Sequence, residues 1–573
     1  MYIYVLIFLF LTRNGICLDL SNQLRDELFK FRTSGESRNL RNVIDSIFEN
    51  TDNNAYCTSC NVVVDYVINY RKSGTKDNEV ADFLKRICPL FTNNNEKSCS
   101  GFIDIVLDSW LYIIDNKNVT SKRACSIYFQ NKNCQDVTYV PWQIKVPQRV
   151  SKVVSKNREG KVQKILHLTD IHYDPLYEPG SNGQCKEVLC CESDSGEPKN
   201  KKDAAGFWGD YHVCDMPWHS IQNLLNDIKE RHNDIDWIYF TGDIVSHRVW
   251  ATSRKENAIA IKTFLQGLKD TFGDIPVYPI LGNHEAHPVD LFPPLNVNED
   301  LSMKWLYELV ADEWSRWIPK ESMQDGGYYT VLVKPGFRII ALNSNVCFTN
   351  NAWLVYDDED PFGQLQWLAD TLLEAESNSE VVHILSHVPP GEEQCAIQWS
   401  HEFKRIIERF HHIITGQFNG HTHYDEFKVF YDPKDPNTVI NIAINGGSFT
   451  SFIALNPNYK IYLVEEEFKQ VLDFDTWTYH LSEANKNNTK PKWYKLYSFT
   501  DAFQLGTFKE TNVHDLLKRM SSDSSLLDKY QRFRVRNSNA LLQEEYEKNF
   551  LHKVLCEITA VEYINSTQCK IYG

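Results

Sequence analysis

The chain has 573 residues, a formal charge of −16 and 42% hydrophobic residues. That length predicts two or three domains, and the apolar fraction suffices to build their cores. The acidic balance argues against a nucleic-acid partner. Residues 1–17 open with an apolar run, Tyr2 to Leu11, too short to cross a bilayer and ending near small residues, which is the pattern of a secretory signal peptide. No later run reaches 18 apolar residues, so no transmembrane segment is expected. Cys17 falls in this signal. Fourteen of the 15 cysteines remain, an even number that suits disulfides made in an oxidising compartment. Asn118, Asn487 and Asn565 head acceptor sequons, which fits a glycosylated product that is secreted, lysosomal or both. Residues 18–52 are polar and read as a helical lead-in.

Residues 53–138 change character. Cys57, Cys60, Val63, Val64, Val67 and Ile68 recur at helical spacing, and Phe83–Leu90 and Phe102–Ile114 are further helix-length apolar stretches. Cys57-x-x-Cys60 lacks the preceding strand of a redox motif, so disulfides are the better reading. Six cysteines fall as two early, two central and two late, an arrangement that by itself allows fifteen pairings. This spacing resembles the saposin B-type domain. The resemblance implies the pairs Cys57–Cys134, Cys60–Cys125 and Cys88–Cys99, in a small all-α unit whose amphipathic helices meet lipid. Phe102 to Leu111 is apolar nearly all round, which is hard to bury in so small a unit and favours membrane contact. The plainer alternative is a disulfide-stapled spacer. Residues 139–162 follow as a linker, broken by Pro141 and Pro147.

Residues 163–460 alternate strand-like and helix-like segments, as α/β layers do. Five strand-like runs end in metal-binding chemistry. Lys164–Thr169 leads into Asp170 and His172. Trp237–Thr241 leads into Asp243, with His247 four residues on. Pro276–Ile280 leads into Gly282, Asn283, His284 and Glu285. Val381–Ser386 leads into His387, and Ile413–Thr415 into His421 and His423. Sites in open α/β sheets form beyond the carboxyl ends of the strands. Seven oxygen and imidazole donors, with no thiolate, are too many for one four-coordinate ion and suit two ions sharing the Asp243 carboxylate. Such a donor mix favours zinc, iron or manganese over magnesium or calcium. His167 and His383 lie inside strand runs and read as packing residues. Beyond residue 461 the chain is expected to be helical to its end at 573, closing on Cys556 and Cys569.

The motifs D-x-H, G-D, G-N-H, H and G-H-x-H resemble the calcineurin-like metallophosphoesterase superfamily. The resemblance implies a β-sandwich flanked by helices. Ser246 stands where purple acid phosphatases have a tyrosine ligand. Instead, Asp243 to His247 with Trp250, Trp208 to Tyr211, and Gln417 to Phe427 are similar to the acid sphingomyelinase family. That family implies two zinc ions, one on Asp170, His172, Asp243 and His423, the other on Asp243, Asn283, His387 and His421. It implies a bridging water as nucleophile and His284 as general acid, with His247 on a phosphoryl oxygen or supporting a ligand. It implies Cys185–Cys190 and Cys191–Cys214 in the irregular stretch after Tyr177. Cys347 and Cys395 are expected to pair likewise. The substrate implied is membrane sphingomyelin, cut to ceramide and phosphocholine by a monomer that docks through the saposin-like region. The alternatives are a secreted nucleotide or cyclic-nucleotide phosphodiesterase, and a catalytically inactive lipid-binding protein.

Overall fold

The computed structural model describes residues 17–48, 53–148, 161–542 and 548–562, apart from Asn93 and Asn133. The signal-peptide expectation lies outside them save for Cys17, as do Asn565 and Cys569. The lead-in forms helices α1 (Cys17–Ser34) and α2 (Arg38–Phe48). Leu24, Leu28, Phe31, Leu40, Ile44 and Ile47 bury their apolar faces against the next four helices. These are α3 (Asn53–Lys72), α4 (Asp77–Phe91), α5 (Glu96–Asn116) and α6 (Ser121–Tyr128). Side chains cap two of them: Asn95 accepts from Ser98 N at 2.8 Å and Thr120 from Arg123 N at 3.2 Å. Disulfides join Cys57–Cys134, Cys60–Cys125 and Cys88–Cys99.

The exposure expected of Phe102 to Leu111 needs correction. Phe102, Ile103, Val106, Leu107 and Leu111 are buried. They share one cluster with Trp250, Leu291, Trp353 and Phe452 of the following domain. The small unit solves its burial problem by packing on a larger neighbour. Tyr112 lies 5.6 Å from the Trp353 ring, and Arg123 pairs with Asp358 at 2.6 Å.

The larger domain is two facing sheets. Across the first sheet lie, in order, β13 (Tyr494–Ser498), β12 (Val471–Thr478), β11 (Asn458–Glu465), β1 (Val162–Leu168), β2 (Trp237–Phe240) and β3 (Val277–Pro279). Across the second lie β4 (Met323–Gln324), β5 (Tyr328–Lys334), β6 (Phe337–Ala341), β7 (Val381–Leu385), β8 (Ile414–Asn419), β10 (Asp435–Asn445) and β9 (Phe427–Asp432). In the first, β1 (Val162–Leu168) runs parallel to β2 (Trp237–Phe240), which is parallel to β3 (Val277–Pro279). In the second, β6 (Phe337–Ala341), β7 (Val381–Leu385) and β8 (Ile414–Asn419) are parallel. Their near-continuous apolar character suits strands buried on both faces. Tyr239, Phe418 and Tyr462 meet between the sheets, and Tyr239 Oη bonds His383 Nδ1 across them at 2.7 Å.

The expected helical boundary at residue 461 is also corrected. β11 (Asn458–Glu465), β12 (Val471–Thr478) and β13 (Tyr494–Ser498) complete the first sheet, with β11 antiparallel to β1. Along β12, Phe474, Thr476 and Thr478 face inward while Asp473, Asp475 and Trp477 are half-buried, the two-residue period of a strand. Helices dominate only after Ser498, with α7 (Glu510–Ser522), α8 (Ser524–Arg534) and α9 (Lys548–Thr559).

Candidate active site

The loops leaving β1, β2, β3, β7 and β8 bring the seven donors to one end of the sandwich. His172 Nε2 lies 3.1 Å from His423 Nε2 and 3.4 Å from Asp243 Oδ2. The same Asp243 oxygen lies 3.2 Å from His387 Nε2. Asn283 Oδ1 faces His387 Nε2 at 3.0 Å and His421 Nδ1 at 2.9 Å. Asp170 Oδ1 is 3.4 Å from His423 Nε2. Asp243 thus belongs to two ligand clusters, one with His387 and His421, the other with His172 and His284.

Backbone geometry sets these side chains. Asp170, His172, Asp243, His421 and His423 all have positive φ, from 43° to 73°. Such conformations are costly for residues with a Cβ and concentrate at sites where the surroundings enforce them. A Cβ at Gly282 would collide with Asp243, and one at Gly420 with Thr169 and Asp170. Glu285 accepts from the backbone nitrogens of Gly282, Asp243 and Ile244, so it ties two of the loops together. His172 Nδ1 faces Val245 O at 2.8 Å and His387 Nδ1 faces Thr241 O at 2.6 Å, which turns each Nε2 toward the shared space. Asn283 Nδ2 donates to Asp290 Oδ1 at 2.7 Å, leaving its Oδ1 as a ligand atom.

The donor set fits divalent cations. Burial, reinforced by neighbouring imidazoles, holds His172, His421 and His423 well below the usual histidine range, so their lone pairs are available. Burial lowers His387 too, but Asp243 and Asp170 outweigh it and push it up to about 9. Burial raises Asp243, yet His387, His284 and His172 prevail and hold it well below the carboxylate range. Burial pushes Asp170 up to about 8, opposed by His387. Two buried carboxylates whose near charge partners are imidazoles form a pocket that calls for positive charge.

His284 groups with His172 and Asp243, and His247 with His172 and His423, the two ring centroids lying 4.5 Å apart. His284 N donates to Asp243 Oδ1 at 2.9 Å, and its ring lies 4.8 Å from that of His172. His247 stacks on Phe452 at 4.0 Å, and its Nδ1 contacts both Asp215 oxygens at 2.9 and 3.0 Å. Asp215 also accepts from His247 N at 2.6 Å and Thr450 Oγ1 at 3.1 Å. Sequence reasoning missed Asp215, because an acid beside a loop cysteine carries no signal of its partner. His167 and His383 sit in the core, bonded to Tyr462 and Thr241, and to Tyr239 and Lys469 O. Cys185–Cys190 and Cys191–Cys214 staple the insertion beside this end, and Cys347–Cys395 the facing loops. The clusters open into a cleft of about 430 Å³ whose wall includes Phe102 of α5.

Residues 163–425 match the family model for calcineurin-like phosphoesterases. The chain is 35% identical over 457 residues to a sphingomyelin phosphodiesterase of Bos taurus, covering 78% of this chain and 72% of that protein. It is 31% identical over 512 residues to sphingomyelin phosphodiesterase 2 of Caenorhabditis elegans, covering 84% and 83%. It is 30% identical over 410 residues to acid sphingomyelinase-like phosphodiesterase 3b of Mus musculus, covering 67% and 86%.

Proposed function

This chain belongs to the sphingomyelin phosphodiesterase family, and from that premise we propose that it hydrolyses sphingomyelin to ceramide and phosphocholine at a dinuclear zinc site. It is a metal-dependent phosphodiesterase. The observation that carries the dinuclear reading is one carboxylate oxygen, Asp243 Oδ2, facing His172 on one side and His387 on the other. Asp170, His172, Asp243 and His423 would hold one ion, and Asp243, Asn283, His387 and His421 the other. Bound there, the pair supplies Lewis-acid polarisation of the phosphate and a nucleophilic water at mild pH.

The chain's own residues do the rest. His284 is anchored through its backbone to Asp243 and through its sequence neighbour Asn283 to the ligand set. Its imidazole at the site rim gives a proton to the departing ceramide alkoxide. His247, fixed by Asp215 and Phe452, donates to a phosphoryl oxygen as charge develops.

The saposin-like helices present the lipid. An apolar groove of about 150 Å³ is lined by Val64, Val67, Trp110 and Ile114, and by Ala352 and Val355 of the catalytic domain. The disulfides fit a secreted or lysosomal setting. Among the described residues no helix is long and apolar enough to cross a membrane. The test is turnover of sphingomyelin in mixed micelles against a nucleotide diester, by zinc-loaded and by chelated protein. Zinc-dependent preference for sphingomyelin is expected. Preference for the nucleotide would overturn the substrate, and no zinc-dependent turnover of either would leave a lipid-binding protein.

A further inference from the structure

The matched phosphoesterase region ends at residue 425, two residues past His423. The loop that carries His421 and His423 is nevertheless held from outside that region. Both residues have positive φ, 73° and 62°, so the loop needs external support to keep its shape. Arg536, just beyond α8, is fully buried, and its guanidinium spans three acceptors, one on the His423 loop and two on the connection between residues 446 and 457. Nη1 donates to His423 O, Nε to Asn456 O at 2.6 Å, and Nη2 to Ser448 Oγ at 3.1 Å. Asn456 Nδ2 returns a bond to Arg536 O at 3.0 Å. Arg534 grips the same loop from its other side. Its carbonyl accepts from Asp425 N at 3.0 Å, its Nε donates to Glu426 Oε2 at 2.9 Å, and its guanidinium lies 4.1 Å from the Tyr424 ring centre. Glu426 Oε1 in turn accepts from Thr422 Oγ1 at 2.7 Å.

We propose that Arg536 is a positioning residue for the metal ligand His423, so that the C-terminal segment belongs to the metal site's machinery. The proposal rests on His423 being a ligand, as proposed above. Without the guanidinium, the partly buried His423 carbonyl would lose its charged donor. A planar fork with five fixed donors can hold three acceptors at once, and a lysine ammonium on a flexible stem cannot reproduce that geometry.

The experiment titrates zinc-loaded protein with a chelator and counts retained zinc by atomic emission. It compares the parent chain with Arg536→Lys, Arg536→Gln, His423→Ala and Arg532→Ala. Arg532 is exposed and pairs with Asp528, so its variant serves as the control. Thermal melts at saturating zinc establish that each variant folds. Arg536→Gln should lose zinc at roughly 10- to 100-fold lower chelator, the usual cost of removing an outer partner of a ligand. Arg536→Lys should fall between it and the parent, and Arg532→Ala should match the parent. Excess zinc should recover much of the turnover of a soluble diester, which damage to the fold alone would not permit. If Arg536→Gln does not fold, Arg536→Lys and Ser448→Ala carry the test, each with a smaller shift in the same direction. Parental zinc retention in folded Arg536 variants would overturn the proposal, provided His423→Ala loses zinc. Parental retention in His423→Ala would instead overturn the ligand assignment beneath it.

Discussion

Asp243 Oδ2 lies 3.4 Å from His172 Nε2 and 3.2 Å from His387 Nε2, so one substitution there touches both clusters. Asp243→Asn keeps the size and removes the charge. It should abolish turnover and empty both ion positions, whereas Asn283→Ala should empty one. Metal counting on the purified variants decides this, and full occupancy in Asp243→Asn would contradict the bridge. His284 is expected to act on the leaving group. His284→Ala should keep its zinc and slow sphingomyelin hydrolysis by roughly 10²–10⁴-fold, the usual worth of a general acid. A diester with a p-nitrophenolate leaving group needs no proton and should lose far less; equal losses on both would sink the role. The convergence of seven donors was legible in the sequence, because each follows a strand-like run and strand ends meet in such sheets. Asp215 and Arg536 were not. Asp215 lies 32 residues from His247 and Arg536 lies 113 from His423, and nothing local marks either pairing.

At the scale of elements, strands β1 and β7 each carry a histidine into the core. His167 and His383 are fully buried, and burial lowers each to about 3, helped by the charge of Lys460 at His167 and opposed by the hydrogen bond to the Lys469 carbonyl at His383. The unfolded chain binds protons on both below pH ~6.5, while the folded chain does not until about 3. Their contribution is therefore present above that range and is lost as pH falls through it, by about 1.4 kcal/mol per pH unit per histidine. His383→Gln should be less stable at neutral pH, yet its stability should fall less steeply on acidification, by one proton's worth. Urea melts at several pH values measure the slope, and an unchanged slope would show that His383 is not held neutral. The strands β11 to β13 escaped the sequence reading for a related reason. Trp493, Tyr494 and Tyr497 are as compatible with a packed helix as with an edge strand. Only the ladder that joins β13 to β12, β12 to β11 and β11 to β1, nearly 300 residues earlier, decides in favour of the strand.

At the scale of the whole molecule, the disulfide-stapled helices and the sandwich share one buried apolar cluster. The helical unit was legible from its cysteines and spacing; its docking on Trp250 and Trp353 was not, since apolar residues look alike whether they face lipid or a neighbouring domain. An apolar groove beside Val67 and Trp110, both only partly buried, is left between the helical unit and the sandwich. Replacing these two with serine should spare hydrolysis of a small soluble diester and impair hydrolysis of sphingomyelin in liposomes, with detergent recovering much of the loss. Equal activity on liposomes would make the helical unit a spacer. Attack of water on phosphorus, with the ceramide oxygen departing, is tested by turnover in oxygen-18 water. Zinc-loaded protein turning over sphingomyelin in labelled water, with products read by mass spectrometry, should give phosphocholine carrying one labelled oxygen and unlabelled ceramide. Label in ceramide, or free choline beside a phosphorylated ceramide, would contradict it.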